Sequence, residues 1–284
     1  MNIDNRRART LGITAGVAAG VAISLAAASP AAAAAPPSVK KDTLIVNGSG
    51  QDDTIALRLV GGTLRVEING SVEGNFALST FSKLEVLLRN GDDRVDIDPG
   101  FTVEQATING GKGNDILNGG DSAELFIGGR GNDSVDGNRG NDTADLGSGE
   151  DRFTWDPGDG SDAIDGGGGT DTLDFNGAAG VDNMSLSPSG NRAVFFRQQG
   201  NINMDMIRVE QLDLDALGNA DTVTINDMSG TDFRLADVDL GGADAAIDTV
   251  TVNGTNNADD IDVTAQGASV VVAGLQTETR ITGS

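Results

Sequence analysis

Between Gly110 and Asp174 the chain repeats itself every nine residues, and this periodicity constrains the fold more than any other feature. The units read GGKGNDILN, GGDSAELFI, GGRGNDSVD, GNRGNDTAD and LGSGEDRFT, then, after Trp155-Asp156, PGDGSDAID and GGGGTDTLD. Every unit except the second carries Gly at its fourth place and Asp at its sixth; the second has Ser122 and Glu124 there. The eighth place is always apolar: Leu117, Phe126, Val135, Ala144, Phe153, Ile164, Leu173. Self-similarity at a short fixed period marks a stacked, repetitive architecture. The first six residues of a unit suit a turn, because Gly tolerates φ > 0 and lets backbone from a neighbouring coil approach closely. The last three suit a short strand, with the eighth place pointing inward and its neighbours outward. Two units make one coil with a turn on each side, so units of the same parity stack on the same side.

Composition removes most catalytic chemistries. The 284 residues include no His, Cys or Tyr and a single Trp. Without Cys there is no disulfide, thiolate metal site or thiol nucleophile. Without His there is no His-based triad and no imidazole ligand. The formal charge of −24 repels nucleic acid and anionic lipid, which excludes both as partners. Acidic chains are often disordered, but alternating runs such as TLRVEI, TVTIN and ASVVVAG read as strands. No 3.6-residue period is sustained beyond the first 35 residues, so the expectation is all-β with almost no helix.

Residues 1–35 read as a secretory signal peptide. Arg6, Arg7 and Arg9 precede an uncharged stretch from Leu11 to Ala28, and an Ala run follows with a cleavage site near Ala33 to Ala35. The Arg6-Arg7 pair also permits twin-arginine export, although its context favours the general secretory route. The expected mature protein is extracellular and has no membrane segment.

Residues 36–109 alternate short strands with turns, including a hairpin, LRLVGGTLRVEI, turning at Gly61-Gly62. Residues 175–284 return to strands separated by acidic turns of irregular spacing. The expectation is a parallel β-roll over 110–174 flanked by irregular β-solenoid or sandwich-like rungs. Trp155 is expected to fill the core. Phe195-Phe196 cannot both face inward on one strand, which suggests an edge or an inter-subdomain contact.

Stacking units of equal parity brings their sixth-place carboxylates together, which is repulsive unless a cation lies between them. Calcium suits such a turn, since it takes six to eight oxygens in tolerant geometry and accepts backbone carbonyls; magnesium demands a near-ideal octahedron. GGKGNDILN, GGRGNDSVD and GGGGTDTLD resemble the haemolysin-type (RTX) calcium-binding nonapeptide of secreted bacterial β-roll proteins. That resemblance implies a parallel β-roll with calcium between successive turns. It implies carboxylate ligands from Asp115, Asp133, Asp142, Asp151, Asp162 and Asp171. It also implies backbone carbonyls near Gly111, Gly113, Gly129, Gly131, Gly140, Gly149, Gly160 and Gly169. About three to five ions are expected. The Glu124–Asp142 rung is expected to be weak, and the Trp155-Asp156 insertion to disturb the register after it. Asp52, Asp53, Asp92, Asp93, Asp221, Asp248, Asp259 and Asp260 are expected to be solvated turn acids, because their spacing places no second carboxylate one coil away.

The function read from the sequence is a secreted, non-enzymatic calcium-binding β-solenoid whose folding is coupled to calcium. The alternatives are a calcium-dependent polysaccharide lyase or epimerase on a β-helix, and a surface adhesin or matrix protein with a polysaccharide or cell-surface partner.

Overall fold

The computed structural model describes residues 34–242 and 246–283. The expected leader lies outside them apart from its last two residues. The described residues form an all-β parallel solenoid of two thirteen-stranded sheets, and the helical segments among them are two short 3-10 turns, Leu78–Thr80 and Gln199–Asn201.

Each coil contributes one strand to each sheet. The first sheet stacks Thr43–Asn47, Lys83–Asn90, Gln105–Lys112, Glu124–Arg130, Thr143–Gly149, Ala163–Asp165 and Ile202–Ile207 in parallel. The second stacks Thr54–Val60, Arg94–Ile97, Ile116–Asn118, Ser134–Asp136, Arg152–Trp155, Thr172–Asn176, Gln211–Asp215, Leu235–Asp239 and Glu278–Thr282. The nine-residue period is therefore the distance between the sheets along the chain, and twice that period returns to the same sheet one coil on.

The core lies between the sheets. All seven eighth-place residues are buried, from Leu117 to Leu173. Each fully buried large side chain of this kind stabilises the fold by about 1.5–3 kcal/mol relative to exposure. Trp155 is fully buried and stacks on Phe175 with ring centroids 4.1 Å apart. Its indole N–H donates to Gly160 O at 2.8 Å, so the polar edge of the ring is satisfied.

The register survives the Trp155-Asp156 insertion, contrary to the sequence-based expectation. Ser134 pairs with Arg152, and Arg152 with Thr172; across the solenoid Thr143 pairs with Ala163. Both sheets lengthen their repeat by the same two residues. The extra length is absorbed in the turn Asp156–Gly160, where Asp159 N–H donates to Asp156 O at 3.0 Å.

The rungs are not uniform either. Among the described residues four antiparallel hairpins depart from the parallel stack. Ser38–Lys40 pairs with Thr43–Asn47 at one end of the first sheet. Thr63–Ile68 and Ser71–Ala77 extend one end of the second sheet beyond Thr54–Val60. Asn183–Ser189 and Arg192–Arg197 are inserted into the first sheet between Ile202–Ile207 and Thr222–Ile225. Asp262–Gln266 and Ser269–Ala273 close the other end of the second sheet. Phe195 is thus in the interior of a sheet and fully buried, while Phe196 faces outward on the same strand; neither marks an edge.

Candidate metal centre

The turns on each side of the solenoid are joined by a ladder of carboxylates. On one side Asp115 N–H donates to Asp133 Oδ1 at 2.8 Å, Asp133 N–H to Asp151 Oδ1 at 2.7 Å, and Asp151 N–H to Asp171 Oδ1 at 2.9 Å. On the other side Glu124 N–H donates to Asp142 Oδ1 at 2.7 Å, and Asp142 N–H to Asp162 Oδ1 at 2.8 Å. All seven acids are at most 3% exposed. One oxygen of each of Asp133, Asp142, Asp151, Asp162 and Asp171 therefore serves the fold, spanning the gap between coils that the backbone ladder leaves at the turn.

The other oxygen is the unusual one. Oδ2 of Asp115, Asp133, Asp142, Asp151 and Asp171 is buried and accepts no hydrogen bond. An unpaired buried carboxylate is costly, and native proteins ordinarily pair such a group or bind a cation to it. Burial is the first cause of the resulting shifts: it pushes Asp133, Asp162 and Asp171 up to about 7, and Asp142 up to about 9, with neighbouring carboxylates adding to the rise. Asp115 and Asp151 are raised for the same first reason.

Glycine makes room beside these oxygens. A Cβ on Gly110 would collide with Asp115 Oδ2 and with Gly128 O of the next coil; one on Gly128 would collide with Asp133 Oδ2 and Leu146 O. The carboxylate oxygen and a carbonyl of the following coil thus converge on one small space. At the fourth place Gly113 has φ +122°, a backbone region that L side chains rarely adopt, and packs directly on Gly91 O; Gly131 has φ +115° and packs on Gly113 O. Gly111, Gly129, Gly140, Gly149, Gly160 and Gly169 make the corresponding contacts on Arg89 O, Gly111 O, Ser122 O, Gly131 O, Gly140 O and Gly149 O. Columns of backbone carbonyls therefore run along the turns. Among the described residues no three acidic side chains gather at one point, so a cation here would draw much of its shell from the backbone. That donor set of carboxylate and carbonyl oxygens is the one calcium prefers.

A family model describing the RTX calcium-binding nonapeptide repeat (4 copies) matches residues 107–133 and 118–153. The chain carries RTX calcium-binding nonapeptide repeats. It is a calcium-binding β-roll protein over this stretch, and calcium is the ion its RTX turns take. No curated protein matches the chain. Among solved structures, the extracellular lipase LipA from Serratia marcescens is similar at 16% identity and a TM-score of 0.18. The likeness covers 68% of this chain and 43% of that one.

The RTX ladder extends further than its motif. Asp53 N–H donates to Asp93 Oδ1 at 2.6 Å, Asp93 N–H to Asp115 Oδ1 at 2.9 Å, and Asp171 N–H to Glu210 Oε2 at 2.9 Å. A separate ladder joins Asp182 N–H to Asp221 Oδ1 at 2.7 Å and Asp221 N–H to Asp248 Oδ1 at 3.0 Å. Asp53, Asp93 and Asp221 are buried. The expectation that Asp53, Asp93 and Asp221 are solvated turn acids therefore fails, because coils of unequal length hide the period; Asp248 is half-exposed and accepts from Asp221 N–H. Asp52 and Asp92 are exposed but also laddered, Asp92 N–H donating to Asp52 Oδ1 at 2.9 Å. Asp259 and Asp260 are exposed, and Asp259 caps its own turn by accepting from Thr255 N–H at 2.9 Å. The signal for Asp93 was present in the sequence: LRNGDDRV at 88–95 parallels LGSGEDRF at 146–153. Asp182 likewise ends GAAGVD, with Gly at the first and fourth places.

Two ladders begin where a hairpin interrupts the stack, and there the first acid is satisfied by protein. Asp53 Oδ1 accepts from Asn69 Nδ2 at 2.8 Å, and Oδ2 from Ser49 N–H at 2.6 Å and Ser49 Oγ at 2.8 Å. Asp182 Oδ1 lies 2.8 Å from Arg197 Nε and 2.7 Å from Nη2, while Oδ2 accepts from Ala178 N–H at 3.0 Å. Glu124 opens the opposite RTX ladder and turns back on its own loop, accepting from Ser122 N–H at 3.2 Å and Gly120 N–H at 3.3 Å.

Proposed function

We propose that this protein is a secreted, non-enzymatic calcium-binding β-solenoid whose RTX array completes its folding when calcium binds. The observation that carries the reading is the row of buried Oδ2 atoms without a hydrogen-bond partner. Asp115, Asp133, Asp151 and Asp171 on one side, and Asp142 and Asp162 on the other, would hold the ions. The turn carbonyls around Gly111, Gly113, Gly129, Gly131, Gly140, Gly149, Gly160 and Gly169 would complete the shells. Bound calcium supplies the positive charge that offsets repulsion between successive carboxylates, at oxygen distances of roughly 2.3–2.6 Å.

The buried acids of the array are engaged through Oδ1 in bridging coils, which supports a structural role for them over an acid–base role. Export is supported by the leader-like composition of residues 1–35. Among the described residues no helix is long and apolar enough to cross a membrane. A ligand that binds only the folded state stabilises it by RT ln(1 + [L]/Kd). With extracellular-module affinities of about 10⁻⁴–10⁻³ M, the array would be loose in a calcium-poor cell interior and ordered outside.

Circular dichroism and calcium calorimetry of residues 36–284, with and without chelator, test the reading. The expected result is calcium uptake accompanied by a gain of β signal. A β signal indifferent to chelator, with no heat of calcium binding, would overturn it.

A further inference from the structure

We infer that the turn at Leu88–Asp93, which lies outside the residues matched by the repeat model, holds a calcium ion of its own at Asp93 Oδ2. The inference rests on the calcium reading of the array and extends it one coil toward the N-terminus.

Asp93 is 2% exposed, and its Oδ2 is buried and accepts no hydrogen bond, as in the array. Its Oδ1 and its N–H are both used in the ladder, toward Asp53 and Asp115 respectively. The turn reproduces the backbone of an RTX turn although its sequence is poor. Arg89 occupies the second place, where Gly111, Gly129 and Gly147 stand in the next three coils, and it takes their conformation, with φ +86° against +105°, +112° and +102°. A non-glycine residue there is strained, and such strain persists only where the surroundings impose it. Gly91 keeps the fourth place at φ +127° and packs on Gln51 O, while its own carbonyl underlies Gly113. The carbonyl columns thus extend to this coil. Leu88 at the first place is buried, like Leu146 in the turn that carries Asp151.

Among the described residues no cationic side chain fills the space. Arg89 Nη2 donates to Asn47 Oδ1 at 3.2 Å, and Arg94 pairs with Asp96 at 2.7 and 2.6 Å. The other charged groups facing Asp93 are Asp52, Asp53 and Asp115, all of the same sign. One coil earlier, at Asp53, Ser49 and Asn69 satisfy both oxygens, and the row of free oxygens ends there.

The test is calcium stoichiometry by calorimetry on residues 36–284, comparing the natural chain with Asp93→Asn and with the exposed control Asp145→Asn. The amide keeps a ladder acceptor but removes the charge. Asp93→Asn is expected to bind one ion fewer, and Asp145→Asn the full number. A full complement in Asp93→Asn overturns the assignment and leaves the array reading intact. A natural chain that takes up no calcium overturns both. Should Asp93→Asn fail to fold, anomalous scattering from a crystal of the natural chain grown in calcium decides: a peak beside Asp93 Oδ2 supports the site, and its absence, with peaks present in the array, overturns it.

Discussion

The RTX ladder and the ladder at Asp182 begin from the same architecture and solve the same electrostatic problem differently. In both, each buried acid after the first accepts the N–H of the acid one coil before it. In the array Asp115, Asp133, Asp142, Asp151 and Asp171 each keep a second carboxylate oxygen with no hydrogen-bond partner. At Asp182, which is fully buried, Arg197 supplies a guanidinium from the inserted hairpin, and Ala178 N–H takes the remaining oxygen. Arg197 also lies 5.7 Å from the centre of the Trp155 ring, which adds a cation–π contact. At Asp182 the fold supplies a positive charge from its own side chain; on the proposed reading the array takes one from solution, which would make its coils conditional on the medium while the Asp182 turn is not.

Chelation separates the two most strongly. In repeat structures stability is a sum of rung terms and nearest-neighbour interfaces, so local loss is possible. Removing calcium is expected to abolish amide protection across the coils of 105–176, while the hairpin 183–197 and the strands Gln211–Asp215 and Leu235–Asp239 retain it longer. Hydrogen exchange with and without chelator measures this. Equal loss in both regions would mean that Arg197 makes its coil no less dependent on calcium than the array.

The next largest effect is at the built-in cation. Arg197→Ala strands Asp182, and breaking a buried ion pair from one side costs about 3–5 kcal/mol. Calcium stoichiometry should stay unchanged while the denaturation midpoint falls. The double replacement Arg197→Met with Asp182→Leu is expected to recover most of the loss, since it leaves no stranded charge. Asp133→Ala should do the opposite: it removes the bridge between Asp115 and Asp151, lowers calcium binding at two neighbouring rungs, and leaves the Asp182 region intact.

Acid should mimic calcium in the array. In the folded, calcium-free protein burial raises Asp133 and Asp171 from an ordinary value of 3.8 to about 7, and Asp142 to about 9. Between about pH 4 and 7 the folded state therefore holds protons that the unfolded chain has released. The stability these groups contribute is fully present below pH 4 and is lost as pH rises, by about 7 for Asp133 and Asp171 and about 9 for Asp142. Without calcium the β signal at pH 5 should exceed that at pH 8; with calcium, which competes with these protons, the difference should shrink or reverse. A flat pH response in chelator would show that the buried carboxylates are not what destabilises the calcium-free form.

What was legible in the sequence follows from how strictly each segment keeps its period. From 110 to 174 the nine-residue repeat fixes the inward residues, the parity of the turns and the pairing of Asp115 with Asp133, all visible without coordinates. Asp93 and Asp53 were lost because coil length there is set by inserted segments: Asp53 meets Asp93 across forty residues and Asp93 meets Asp115 across twenty-two. A fixed-period search cannot see that. Comparing turns with one another would have found LRNGDDRV. Arg197 was illegible for a different reason, since nothing local ties it to Asp182; only the antiparallel pairing of Met184 with Arg197 brings the two together.

The smallest expected effect concerns Glu124, the one acid of the array that partly satisfies itself. Its longer side chain reaches back to Ser122 N–H and Gly120 N–H, so it offers both oxygens to its own turn where Asp142 offers one to the ladder and keeps one free. Burial still raises it to about 7, although the Gly120 and Ser122 donors pull it down. Shortening the side chain removes the reach. Glu124→Asp together with Ser122→Gly converts the unit to the form of its neighbours and should turn the rung from self-capped to cation-dependent. The expected outcome is a modest gain in calcium affinity or one additional ion by calorimetry, coupled to a loss of up to about 1–2 kcal/mol in chelator, the scale of one or two neutral hydrogen bonds. Moving in opposite directions with and without calcium is the signature. A variant that weakens under both conditions would mean that Glu124 braces the turn and that its rung was never a vacancy in the ladder.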